Sequence, residues 1–254
     1  METENAVALA VAPGLEMLWD DEVRAPRRRR VGLTREDIVA TAVEMADRSG
    51  LSAISMANIA KALGFSTMAI YRHVPNKAEL LLLMEDAGIG PPPEPGRELS
   101  GWRAKLEWIA LEIAALYRRR PWLLAIPITG PPATPNNIRW LELGLAALKE
   151  TNLVPADRFA AYFLVVSLIQ GDLRFHAEIE RGNQRGAVRD DNHEELYGLL
   201  LTRLMPPGKF PEVEEMIASG VLDQVDEEGV DFEFALQRVL DGIEVFIEAK
   251  SHAQ

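Results

Sequence analysis

The 254-residue sequence predicts an all-α protein: a three-helix, helix-turn-helix domain at residues 31–90, then a larger helical domain at 91–254. Three observations predict it. Apolar residues recur at helical spacing from Ile38 onward, as at i, i+3, i+4 and i+7 from Met56, and no stretch alternates with period two. Capping residues and glycines fall where short helices must begin and stop. The run Gly90-Pro91-Pro92-Pro93-Glu94-Pro95-Gly96 breaks any helix and marks the boundary between the domains.

Residues 1–23 show weak patterning, and with Arg27-Arg28-Arg29-Arg30 behind Pro26 they are expected to form a mobile extension, residues 1–30, that ends in a basic arm. The first clear helix starts at Thr34, with Asp37 three residues on as a weak capping box, and Gly50 stops it. Ile38, Ala42, Met45 and Ala46 share its inner face. Ser55 caps a second helix, in which Met56, Ile59, Ala60 and Leu63 follow helical spacing until Gly64. Phe65 and Ser66 separate it from a third helix, Thr67 to His73; two short helices joined by a glycine-containing turn are the helix-turn-helix pattern. Phe65, Ile70 and Val74 are spaced to bury against the first two helices. Pro75 ends the third helix, Asn76 caps a fourth with Glu79 at its third position, and Leu80 to Met84 supply an apolar stretch.

Beyond the proline run, long helices are expected over 100–120, 136–151, 155–181, 192–205, 211–218 and 231–249, with a short helical piece at 121–127 and a mobile polar loop at 181–190. No fixed-period repeat suggests a solenoid.

Composition narrows the function. The chain has 48% apolar and 26% charged residues, which suits a folded core, and no Cys, which removes disulfides, thiolate metal sites and thiol nucleophiles and fits a reducing cytoplasm. The longest near-continuous apolar stretch, 159–169, is too short to span a bilayer, so no membrane partner is expected. Glu2 and Glu4 stand where a secretory signal would be basic. The four His show no metal-ligand spacing, and no phosphate loop or nucleophile motif appears, so neither enzyme chemistry nor a cofactor is expected. The net charge of −12 argues against nucleic acid if read globally. From Arg24 to Lys77, however, ten basic residues stand against four acidic ones, a surplus of six, and the remainder of the chain carries −18. A basic segment on an acidic body grips phosphate locally.

A helix fits the major groove, where base edges are distinguishable, and the second helix of such a motif lies there. On the third helix Arg72 can reach guanine or phosphate, Thr67 and Met68 a thymine methyl, and Tyr71 and His73 a phosphate. Packing on the fourth helix is the alternative for Tyr71 and His73, and for His73 capping or core burial is as well supported as phosphate contact. Lys77 adds charge at that helix's N-terminal amides. The expected DNA-binding set is Ser55, Asn58, Ser66, Thr67, Met68, Ala69, Tyr71, Arg72, His73 and Lys77, together with the arm Arg27, Arg28, Arg29 and Arg30.

The second domain holds most of the aromatic residues. Trp108, Tyr117, Trp122, Trp140 and Phe163, with the polar Asn137, Ser167, Gln170 and Arg174 on or beside apolar faces, are expected to line a site for a bulky, largely apolar ligand. Arg174 and His176 also suit a salt-bridged dimer interface. The last helix carries a stripe wider than one partner helix needs, including Leu236, Leu240, Ile243, Phe246 and Ile247. With Leu164, Leu168, Gly171 and Phe175 it suggests a four-helix seam between two chains. Packing within one chain is the alternative.

From Thr34 to Met84 the sequence resembles the TetR (tetracycline-repressor-type) family of bacterial transcriptional regulators, through Gly50-Leu51, Ser55-Met56, Ile59-Ala60, Leu63-Gly64 and above all the run Ala69-Ile70-Tyr71-Arg72-His73-Val74-Pro75-Asn76-Lys77-Ala78-Glu79-Leu80. Gly130-Pro131-Pro132 and Phe232-Glu233-Phe234-Ala235-Leu236 extend the likeness, more loosely, through the second domain. The arm resembles those of actinobacterial members. The pattern departs at Ala57 and Asn58, where similar sequences often carry Arg. The resemblance implies a homodimer on a palindromic double-stranded operator, released by a small-molecule effector. Activation, or an architectural role without an effector, are the rival readings.

Overall fold

The computed structural model describes residues 13–23, 32–96, 98–128, 130–185, 193–223 and 230–252. The regular secondary structure among them is all helical. The α-helices are α1 Pro13–Val23, α2 Arg35–Ser49, α3 Met56–Leu63, α4 Thr67–Tyr71, α5 Lys77–Ile89, α6 Gly101–Arg119, α7 Pro135–Ala147, α8 Pro155–Arg185, α9 His193–Leu204, α10 Pro211–Ala218 and α11 Val230–His252. Short 3₁₀ turns fall at Leu51–Ala53, Pro121–Ala125 and Val221–Asp223. None of these helices is long and apolar enough to cross a membrane.

The caps form as the residue types dictate. The Thr34 hydroxyl accepts from the Asp37 amide at 3.1 Å while the Asp37 carboxylate accepts from the Thr34 amide at 3.1 Å, which closes a reciprocal capping box on α2. Gly64 sits in the left-handed region at φ 74°, and the Phe65 amide donates to the Ala60 carbonyl at 2.9 Å. This wrapped end turns the chain sharply into α4. The same wrap carries the Phe65 side chain away from the core: it is 46% exposed, which corrects the expectation that it buries with Ile70 and Val74, both at 0%.

Helix α5 joins the two halves. It packs on α2 in the head and on α7 in the body. Leu80 and Met84 on it are fully buried, each burial stabilising by roughly 1.5–3 kcal/mol relative to exposure. One continuous apolar core runs from Ile38 to Ile243. In the body α6, α7, α8 and α11 pack together, while α9 and α10 make their main contacts with the Val221–Asp223 turn. Arg103 of α6 fastens α11 by reaching Asp241 at 2.6 Å, Gln237 at 2.8 Å and Glu244 at 3.0 Å. Its hydrogen bond holds the Asp241 carboxyl below its usual range.

Two expectations change. Residues 13–23 are not a mobile tail but a helix docked on α5 and α7. Gly14 permits the approach, since a Cβ there would lie 3.2 Å from Cγ of Glu79 and 3.4 Å from Leu82. The Trp19 indole donates to the Ala133 carbonyl at 2.9 Å, and Glu22 pairs with Arg139. The polar segment expected as a loop over 181–190 is helical as far as Arg185, and 186–192 lie outside the described residues, as does the arm Arg27 to Arg30.

Candidate nucleic-acid interface and inner polar cluster

Helix α4 is held from beneath and bare above. Ile70 and Val74 anchor it at 0% exposure, and the Ser66 hydroxyl caps it by accepting the Ala69 amide at 3.2 Å. Met68 is 69% exposed, and Tyr71 and Arg72 face solvent with it, whereas Thr67, Ala69 and His73 are half-buried. Ser55 is half-buried and caps α3 through the Asn58 amide at 3.1 Å. Both serines thus spend a lone pair on a cap, and each keeps a hydroxyl hydrogen to donate. Asn58 is exposed, and its side-chain amide donates to the Ala53 carbonyl at 2.9 Å. Lys77 is exposed at the first turn of α5. Asn76 takes one amide of that turn, accepting from Glu79 at 2.9 Å and donating to its carboxylate at 2.9 Å. This short helix and its C-cap residue Arg72 therefore project an exposed thioether, a phenol and a guanidinium, with an ammonium close by in the chain.

The body contains a second polar assembly, drawn from four helices. The Gln170 amide donates to the Tyr117 hydroxyl at 3.0 Å. Glu85 and Arg174 both act electrostatically on that hydroxyl, whose pKa burial pushes up. Burial also raises the Glu85 carboxyl; Asn137, donating at 3.4 Å, partly offsets this, and the adjacent Asp86 charge adds to it. Burial and then Tyr117 raise the Tyr162 phenol. The Tyr162 ring needs Gly144 opposite, since a Cβ there would lie 2.1 Å from it. Nε of Arg174 is buried without a hydrogen-bond partner.

Tyr117, Asn137, Gln170 and Arg174 of the expected ligand set are thus brought together, and Trp108 is half-buried against the core. Four members need correction. Phe163 is 46% exposed and stacks on Phe159 at 5.8 Å, and Ser167 is exposed on the same helix, so both belong to the outer face of α8. The Trp122 indole donates to Oδ1 of Asp47 at 2.7 Å, across to the head. Trp140 donates to the Gly90 carbonyl at 3.1 Å, so its polar edge is spent on the end of α5. Sequence reasoning missed Glu85 and Tyr162; a carboxylate directly behind the apolar run 80–84 was the available signal for the first.

The expected dimer face divides likewise. Leu164 and Phe175 are 51% and 63% exposed, and Gly171 has open space at its Cβ position. Leu168 is half-buried. On α11, Phe246 is 37% exposed and Ile247 is half-buried against the core. Leu236, Leu240 and Ile243 are 0%, 0% and 4% exposed: they pack inside their own chain, and this corrects their assignment to a seam. Phe159, Phe234 and Val245, at 48%, 64% and 65%, are exposed apolar residues on α8 and α11 that the sequence reading did not assign to the seam.

A capped helix-turn-helix whose second helix is bare on its outer side, carried on a larger helical body, defines a DNA-binding regulator. The description "Bacterial regulatory proteins, tetR family" matches residues 38–84, and "Tetracyclin repressor-like, C-terminal domain" matches 93–247. The chain belongs to the TetR family. It is 34% identical over 247 residues to the HTH-type transcriptional repressor DrrR1 of Streptomyces coeruleorubidus, covering 96% of this chain and 90% of that one. An HTH-type transcriptional regulator of Saccharopolyspora erythraea is 32% identical over 162 residues, 64% of this chain and 67% of that protein. Among solved structures, apo ActR of Streptomyces coelicolor superposes with TM-score 0.66 at 24% identity, over 85% of this chain and 99% of that one.

Proposed function

We propose that the protein is a homodimeric repressor that binds an inverted-repeat operator through α4 and is released by a small, largely apolar effector lodged at the inner polar cluster. The observation that carries this reading is the course of α5. Its start, at Asn76 and Lys77, follows α4 after a short turn, and its C-terminal half, at Glu85 and Asp86, stands in the cluster and against α7. An effector that favours one position of Glu85 therefore moves the reading head. Two heads must meet major grooves about 34–36 Å apart, so a small shift lowers affinity steeply. The effector acts through its difference in affinity for the two arrangements.

Relatives support the reading. DrrR1 is described as a repressor, and ActR has been solved with (S)-DNPA and with actinorhodin. The exposed apolar residues of α8 and α11 support a four-helix seam between two chains. The test is selection of bound duplex from a random pool, followed by titration of the complex with small aromatic compounds. An inverted repeat, released by a compound that binds the protein, is expected. A compound that binds without changing operator affinity contradicts the effector step, and recovery of unrelated sequences contradicts the operator.

A further inference from the structure

Head and body are also joined by a compact set of directional bonds gathered at the end of α5. Asp47, near the end of α2, accepts the Trp122 indole at 2.7 Å and Nε of Arg120 at 3.2 Å. Arg120 turns a second nitrogen, Nη1, to the carbonyl of Gly88 at 2.7 Å, in the last turn of α5. One guanidinium therefore bonds to the head and to the end of the connecting helix at once. The aromatic member is fitted closely: a Cβ at Gly88 would lie 2.6 Å from the Trp122 ring and 3.0 Å from Leu123. The same end of α5 is gripped by Asn136, whose amides donate to Asp86 at 2.8 Å and 2.9 Å, and by Trp140 at Gly90.

Packed apolar residues resist separation, but they tolerate sliding better than bonds with fixed directions do. A carboxylate shared by an indole and a guanidinium fixes the angle of α2 against the 120–122 segment. A lysine at 120 offers a single ammonium and cannot hold Asp47 and the Gly88 carbonyl with the geometry of a fork. We infer that Asp47, Arg120 and Trp122 are positioning residues that set the angle of the reading head against the body. They pass a displacement at the end of α5 to α2, and so select the distance between half-sites. The inference rests on the dimeric operator reading above.

The test uses the full chain with its selected operator, with operators one base pair longer and shorter between half-sites, and with a single half-site. The variants are Trp122→Phe, Arg120→Lys, Asp47→Ala and the milder Asp47→Asn, which keeps an acceptor for the indole and removes the charge. Couplings between distinct sites are typically about 5- to 150-fold. The native protein is expected to prefer its own spacing by a factor in that range. Trp122→Phe, Arg120→Lys and Asp47→Ala should bind the single half-site as the native protein does and lose at least about fivefold of that preference. Asp47→Asn should fall between, and it decides the matter if Asp47→Ala does not fold. Variants that keep the full spacing preference overturn the inference alone. A native protein with no spacing preference overturns the dimeric reading and the inference with it.

Discussion

At the scale of the residue, Glu85 carries the clearest consequence. Burial raises its carboxyl pKa, so the folded chain holds that proton more tightly than the unfolded chain does. Stability therefore falls as pH rises from the ordinary carboxylate range through the raised folded value, and the cost persists at neutral pH. Glu85→Gln, which keeps a partner for Asn137 and removes the titration, should melt at a higher temperature than the native chain at pH 7. The gap should close at a pH below the ordinary carboxylate range; melting curves at the two pH values check this. Trp122 shows where reading by residue stops. Its apolar bulk and helical context mark it as buried, as it is. Its polar partner is 75 positions away in sequence, and no local pattern encodes an indole that reaches into the head. Phe65 fails in the opposite sense: its hydrophobicity argues for burial, and the backbone wrap at Gly64 overrides it.

At the scale of the element, α2 to α5 were legible because their ends are written in local chemistry. Thr34, Ser55, Ser66 and Asn76 each accept the backbone amide three residues on, inside the helix they begin. Helix α1 was not legible. No Ser, Thr, Asp or Asn stands directly before Pro13, and its docking depends on Gly14 meeting α5 and on Trp19 reaching a carbonyl 114 positions on. Helices α8 and α11 illustrate a subtler limit. The sequence shows an apolar stripe on α11 but not which of its residues the chain's own core takes: Leu236, Leu240 and Ile243 close that core, Phe246 of the same stripe stays exposed, and Phe234 and Val245 lie outside the stripe altogether. Phe163→Glu and Val245→Glu place charges on the exposed sides alone. If those sides form the seam, each variant should run as a monomer in analytical ultracentrifugation at concentrations where the native chain is a dimer, with its helical content unchanged. Dimers that persist in both variants contradict the seam.

At the scale of the whole molecule, charge and architecture say the same thing. The surplus of positive charge lies in one stretch, from Arg24 to Lys77, and the body is acidic. The acidic body discourages nonspecific spreading on DNA, and the head keeps its local grip. The family and the two-part helical fold were legible from the sequence, since both are carried by the run Ala69 to Leu80 and by helical periodicity. The inner cluster was legible in part: Tyr117, Asn137, Gln170 and Arg174 stand on faces the pattern exposes, whereas Glu85 joins them through a helix that spacing assigned to the head.

The central claim is that α4 enters a duplex groove with Arg72 as its main cation. The measurement that tests it most directly is the affinity of the native chain and of Arg72→Ala for a selected duplex across a salt series. Native binding should weaken steeply with salt. The variant should bind more weakly at every salt concentration, with a slope of log affinity against log salt lower by about one if Arg72 holds a phosphate, or by about 1–3 kcal/mol with relaxed sequence preference if it reads guanine. Equal affinity, slope and sequence preference for the two proteins would contradict it.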